Sequence, residues 1–247
     1  IMVLRHHPLL EARNIADAIE EALQMALPNS FGHERFENTE KYNQFWMTDD
    51  YYYHDKNCPD FKMIKNSVDT NQLPRGILEK RPMKTELPRH LAEAGTLQYE
   101  FLLDFGSFRD IQRHRSVIQR MPLLTTEIGF EKWYITELPK ILQPKTIAFL
   151  KEQEEKIIKL NVSKEERQYY TAMGYNISNR LTGSLPHLVY LAELRATRFV
   201  HYTLRAKAKK LADNLVELFG KFGLVMHLDL EPDRFDVRRG EQDIVLK

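Results

Sequence analysis

The succession of strand-like and helix-like patterns predicts an α+β fold, a mixed sheet packed with helices and followed by a long helical C-terminal part. Three observations support that expectation. The stretch TLQYEFLLDFG alternates Leu97, Tyr99, Phe101 and Leu103 with Gln98, Glu100, Leu102 and Asp104, the two-residue period of a half-buried strand. PKTIAFLKEQEEKIIKL, from Pro144 to Leu160, and the run from about His201 to Phe219 repeat apolar residues at helical spacing. Strands and helices do not alternate as clean βαβ units, and no repeat, low-complexity tract or glycine linker divides the 247 residues, so one continuous domain is expected.

In chain order, Leu10, Ile15, Ala18, Ile19, Leu23 and Ala26 predict an amphipathic helix from Leu9 to Leu27 that stops at Pro28-Asn29. The aromatic-rich SFGHERFENTEKYNQFWMTDDYYYHDKNCPDFK has neither period and reads as a long irregular arm with one short helix at most. ELPRHLAEAG, opened by Pro88 and closed by Gly95, suits a short helix. After the strand, Gly106 closes and Ser107 caps a short helix, FRDIQRHR, and the chain extends again through SVIQRMPLL. KEERQYYTAMG reads as a helix ending at Gly174, YNISNRLTGSL as a strand, and LPHLVYLAELR as a helix started by Ser184 and Pro186. The last helix shows Leu204, Ala208, Leu211, Leu215 and Leu218 on one face and stops on Gly220. Residues 1–81 are thus a helix plus an arm, 82–219 a core and 220–247 a tail.

Composition narrows the classes of function. With 43% hydrophobic residues the chain can bury a real core, and a net charge of +1 exerts no global pull toward nucleic acid or membrane. Anion recognition must then come from local clusters. Cys58 alone gives no disulfide framework and no cysteine zinc site, which suits a reducing, cytoplasmic setting. No run is long and apolar enough to span a bilayer, and IMVLRHHPLLEARN is too short in apolar residues for a signal peptide, so a soluble protein is expected. Ile1 precedes Met2, which leaves open whether the numbered chain belongs to a longer polypeptide.

One basic cluster is FRDIQRHRSVIQR, with Arg109, Arg113, His114, Arg115 and Arg120. Guanidinium forks donate two parallel hydrogen bonds, which suits phosphate oxygens, and an imidazole can donate to a heterocycle or stack beside it. By itself a short charge run is ordinarily a solvated face. Cys58 has no base placed beside it in the sequence and reads as inert. Asp49, Asp50, His54 and Asp55 lack regular ligand spacing, so no metal site is expected, and the arm reads instead as a surface segment packing on a neighbouring subunit.

HLAEAGTLQYEFLLDFGSFRDIQRHR resembles the flavin-dependent thymidylate synthases, the ThyX family, in which a histidine-bearing helix leads into a strand and a short helix delivering R-H-R-x-x-S-x-N-E-x-S-x-R. YTAMGYNISNRLTGSLPHLVYLAELRATRFVHYTLRAKAKKLAD resembles that family's C-terminal strand and the helix carrying its substrate-activating arginine. Together the two stretches run from about Pro82 to Phe219. The resemblance implies that Arg113, His114, Arg115 and His90 hold flavin adenine dinucleotide (FAD), and that Arg195 binds and polarises the pyrimidine of deoxyuridine monophosphate. His201 and Arg205 fall near cofactor positions, and Arg109, Ser116 and Arg120 are the candidates for the substrate side. NADPH and methylenetetrahydrofolate are the implied co-substrates, and a homo-oligomer of tetramer type, or pairing with a second chain of the same kind, the implied assembly.

The departures lie in the second half of the signature. Ile118 stands for its Ser, Arg120 for its Asn, Met121 for its Glu, Leu123 for its second Ser and Thr125 for its closing Arg. Asp110 replaces the Gln three residues before R-H-R, and Gln168 an Arg before the C-terminal strand. Each lost charge-assisted bond to a phosphate removes about 1.5–3 kcal/mol, so the flavin half of the motif is present and the deoxyuridylate half altered. Three readings stay open: a flavoprotein methylating a uridine-type nucleotide, a non-catalytic subunit completing a partner's site, and, less favoured, a nucleic-acid-binding module using the clusters around Arg113 and Arg205.

Overall fold

The computed structural model describes residues 1–51, 55–120 and 122–231, the side chains of Asp50 and Tyr51 excepted. His54, Met121 and residues 232–247 of the tail, named above, lie outside them. Four helices come first: α1 (Met2–Arg5), α2 (Leu10–Ala26), α3 (Pro28–Phe31) and α4 (Glu37–Tyr51). Then come β1 (Phe61–Asn66), α5 (Arg75–Glu79), β2 (Thr96–Asp104), α6 (Phe105–Ile111), β3 (Ile118–Arg120), α7 (Lys132–Thr136), α8 (Gln143–Ile158) and α9 (Lys164–Arg167). β4 (Asn176–Ser184), α10 (Leu185–Arg195) and α11 (Tyr202–Phe219) complete the α+β arrangement.

The sheet has the order β1-β2-β4-β3, and every pair is antiparallel. β2 and β4 pair along their whole lengths, from Thr96 opposite Ser184 to Asp104 opposite Asn176. This register puts Leu97, Tyr99, Phe101 and Leu103 on the same face as Ile177, Asn179 and Leu181, all buried. Leu188, Leu191, Leu204, Leu211 and Leu215 of α10 and α11 belong to the same core. On the opposite face Gln98 donates to Thr182 at 2.8 Å and Arg180 to Glu100 at 2.9 Å, cross-strand pairs that reinforce the register.

Several expected elements differ. The segment read as irregular contains the 15-residue α4, whose apolar residues follow no clear stripe, and β1, whose alternation over six residues is too short to stand out. α2 forms as expected, but Ala16 is its one buried apolar residue. Leu10, Ile15 and Ile19 are exposed, whereas Glu20 is buried with Arg5 and Arg35 around its carboxylate. The 89–94 segment is a 3-10 turn, and the 164–170 segment is one α turn followed by a 3-10 turn. Asp104, not Ser107, caps α6, because its side chain accepts the Ser107 N–H at 3.0 Å; Gly106 lies inside the helix.

Gly95 ends the 3-10 turn with φ at 128°, and a Cβ there would lie 2.3 Å from the Ser67 carbonyl oxygen. Gly95→Ala is expected to destabilise by about 1–3 kcal/mol from the backbone conformation alone, measured by urea unfolding; a neutral substitution would refute this account of the turn.

Candidate functional site at the end of helix α6

The basic cluster sits where α6 runs out. Its last turn is followed by a tight return: the His114 N–H donates to the Ile111 carbonyl at 2.9 Å and the Val117 N–H to the His114 carbonyl at 3.2 Å. Gln119, in the middle of β3, donates to the Ile111 carbonyl at 2.8 Å and ties the turn to the sheet. Val117 and Ile111 are buried, so the return is anchored by apolar packing on one side. His114 points inward between Arg113 and Arg115, which stay exposed.

Arg195, the last residue of α10, reaches the imidazole from the other end of the sequence. Its Nε donates to His114 Nε2 at 2.9 Å and its Nη2 to the Asp110 carbonyl at 2.9 Å. An Arg can only donate, so Nε2 is the acceptor and the His114 ring is neutral with its hydrogen on Nδ1. The electrostatics agree: burial first, then the Arg195 charge, push the His114 pKa down to about 4, against a smaller opposing pull from Asp110. Asp110 also pairs with Arg113 at 3.5 Å, and Tyr190 sets its ring edge to the His114 ring with centroids 5.8 Å apart.

The other expected site residues divide by position. Arg109, on the last turn of α6, and Ser116, just beyond Arg115, are exposed near the cluster. Arg120 is bound to the Asp49 carbonyl at 2.6 Å and carboxylate at 2.9 Å, so part of the aromatic arm is held by this chain itself. Asp55, further along the arm, donates its backbone N–H to Ser178 Oγ at 3.0 Å. His90 is exposed on its 3-10 turn, with no hydrogen bond or ring contact to His114 or Arg195. Arg205 is almost wholly enclosed. Its guanidinium donates to the carbonyls of Ala196, Asp229 and Glu231, closing the C-terminal end of α10 one residue beyond Arg195.

Lys207 and Lys210, two of the three lysines that follow Arg205 on α11, both pair with Asp60, which leaves that face less basic than its sequence. Cys58 is buried and its thiol is pushed up to about 11 by desolvation, which keeps it protonated. Among the described residues no group of three or more His, Cys, Asp or Glu side chains is arranged to hold a metal ion, and no helix is long and apolar enough to cross a membrane.

Sequence reasoning noted Asp110 only as a departure and missed Tyr190. Both owe their place to the docking of α10 against α6, and no periodicity signals it. His201 lies near the opposite end of α6, bonded to Ser107 and Thr203 instead of to His114.

No family model matches the chain. A UPF0159 protein of Chlamydia pneumoniae is 32% identical over 166 residues, which cover 62% of this chain and 31% of that protein. The chain spans about a third or less of the length of the curated relatives it matches, 27–31%. Among solved structures, a UMP/dUMP methylase, PolB from Streptomyces cacaoi bound with 5-Br UMP, is similar at 11% identity and a TM-score of 0.46, over 68% of this chain and 96% of its own. The flavin-dependent thymidylate synthase ThyX of Helicobacter pylori, complexed with FAD and dUMP, is similar at 14% identity and a TM-score of 0.40, over 51% of this chain and 70% of its own.

Proposed function

We propose that this chain is a ThyX-like flavoprotein that grips the diphosphate of FAD with Arg113 and Arg115 and methylates a uridine-type nucleotide such as dUMP, with Arg195 as the group that polarises the pyrimidine. The hydrogen bond from Arg195 to His114 is the observation that supports it most. It joins residues 81 positions apart, from the two separate stretches that resemble the family.

The residues fit the phosphate half of the cofactor. Two exposed guanidinium forks flank one inward-turned imidazole, and the Arg113 side chain is 65% exposed even while it touches Asp110. Neutral His114, with a hydrogen on Nδ1, is set to donate to a ring acceptor or carbonyl. Arg195 spends Nε on His114 and one contact of Nη2 on Asp110, leaving Nη1 for an anionic or carbonyl oxygen. A bound reduced flavin would supply the hydride, with NADPH and methylenetetrahydrofolate as co-substrates; the protein contributes position and charge.

The expected result is flavin absorbance in the purified protein and FAD binding by calorimetry. Arg113→Gln and Arg115→Gln should each weaken binding by roughly 10- to 150-fold, from about 1.5–3 kcal/mol per charge-assisted bond. A colourless protein with no FAD binding sinks the reading.

One observation favours a second reading, a subunit that completes a partner's site. At the altered end of the signature Ile118 is 70% exposed and Arg120 is tied to Asp49, so neither offers the nucleotide what Ser and Asn would. Under that reading, native mass spectrometry shows a hetero-oligomer, and anaerobic reduction by NADPH is unchanged by deoxyuridine monophosphate.

A further inference from the structure

Outside both stretches that resemble the family, a cavity of about 350 Å³ lies between the end of α1, α2 and α4. That volume is in the range of small-ligand pockets. Its walls include Arg5 and His6 at the end of α1, Arg13 of α2, and Gln44 and Met47 of α4. Ion pairs fix the three helices around it: Arg5 lies 3.1 Å from Glu20 of α2 and 2.8 Å from Glu40 of α4, and His6 Nε2 is 3.0 Å from Glu40. Arg35 also pairs with Glu20, so both carboxylates are matched by arginines. Met47 is 2% exposed and gives the cavity an apolar wall.

Arg13 differs from the other arginines of this region. It pairs with no carboxylate among the described residues, and Nη1 alone makes its hydrogen bonds, to the carbonyls of His7 and Pro8 at 2.9 Å each. Nε and Nη2 are left, and in a guanidinium their hydrogens form a parallel pair that meets two oxygens of an oxyanion. Arg5 Nε is buried and also lacks an acceptor, whereas buried donors are ordinarily satisfied. His7, another wall residue, adds no charge. Its Nδ1 accepts the Leu9 N–H at 3.1 Å, and burial first, then the Arg13 charge, hold its pKa below the ordinary value.

One unmatched positive charge with a planar fork suits a planar anion of single charge. A carboxylate is both, while a phosphomonoester carries about 1.5 to 2 negative charges at neutral pH and would stay partly unbalanced. The cavity is larger than a carboxylate, and Met47 and the Gln44 amide, which has no hydrogen bond among the described residues, line the remainder.

We propose that this cavity binds a small organic acid, a monocarboxylate whose two oxygens accept from Arg13 Nε and Nη2 and whose uncharged body lies against Met47 and Gln44. The site uses neither Arg113 nor Arg115, so a protein that binds no flavin would leave it standing.

Titration of the 15N-labelled full chain with butyrate at neutral pH tests it by NMR. The expected result is a shift of the Arg13 Nε–H resonance, assigned by its loss in Arg13→Lys, that rises to a plateau. Butyramide, which lacks the charge, should bind at least about tenfold more weakly, and methyl phosphate should bind less tightly than butyrate. Followed through the Gln44 and Met47 amides, Arg13→Gln should weaken butyrate at least about tenfold. Arg13→Lys keeps the charge without the fork and should weaken it too. Gln44→Glu, at an exposed helix position, decides the matter if the Arg13 variants unfold: the added negative charge should weaken butyrate severalfold. A shift that stays linear with concentration, equal binding of butyramide, tighter binding of methyl phosphate, or an affinity unchanged in a folded Arg13 variant or in Gln44→Glu overturns the proposal.

Discussion

Arg81→Met is expected to lower the thermal unfolding midpoint by roughly 6–20 °C, from a loss of about 3–5 kcal/mol at a few degrees per kcal/mol. The Arg81 side chain is 3% exposed and joins three segments far apart in sequence. Its Nη1 donates to the Thr85 carbonyl at 2.7 Å and to Glu193 Oε2 at 3.0 Å, and its Nη2 to Glu193 Oε1 and, at 2.9 Å, to the Val225 carbonyl. Glu193 also receives the His227 N–H at 2.7 Å. Methionine fills a similar volume but leaves a largely buried carboxylate and two carbonyls without their donor. Adding Glu193→Leu should recover part of the loss, because the unpaired charge goes while the Thr85 and Val225 carbonyls stay unpaired and the His227 N–H loses its acceptor. Calorimetry of the two variants decides it: a single-variant shift below about 2 °C would mean that the pair contributes little.

The second large effect is on acid stability. His114 has a folded-state pKa of about 4, below its ordinary 6.5, so the unfolded chain takes up this proton more readily than the folded one. Above about pH 6.5 the group is neutral in both states and contributes nothing to the slope. As pH falls from 6.5 to 4, the unfolded state is favoured progressively, by on the order of 3 kcal/mol in all, and below pH 4 the loss levels off. His114→Gln is expected to remove this part of the slope in urea unfolding between pH 4 and 8. Arg195→Met should reduce it only in part, since burial is the larger cause and the cation the smaller. If wild type and His114→Gln fall in parallel over that window, the neutral, buried imidazole accepting from Arg195 is wrong.

The strands and helices that make the core were legible because their patterns report burial directly. β2 alternates in burial from Thr96 to Leu103 and its odd-numbered residues are all buried; α11 shows Leu204, Ala208, Leu211 and Leu215 on one face, and that face is the packed one. Periodicity failed where apolar residues do not mark the contact surface. α2 displays an apolar stripe, yet Leu10, Ile15 and Ile19 are exposed, and Glu20, paired with Arg5 and Arg35, is buried beside Ala16. A stripe shows which face is apolar and cannot show which face is covered. β1 was missed because its six residues hold too few repeats of the two-residue period, and only pairing with β2 makes them a strand.

The same division runs through the candidate sites. Residue types and spacing alone put Arg113, His114 and Arg115 in a group and made them candidates for an anion. The resemblance pointed to Arg195 as their companion, and the antiparallel sheet with α10 docked beside α6 brings its guanidinium to 2.9 Å from the imidazole. Three roles were decided by tertiary structure. Arg205, basic in the sequence, is a fastener for the end of α10; Arg120 is spoken for by Asp49; and His201 belongs with Asp104, Ser107 and Thr203. The physical reason is common to all three. A charge or a ring in a sequence declares what it can bond, while its partners come from segments up to a hundred residues away, and only the packing of those segments sets which bond is made.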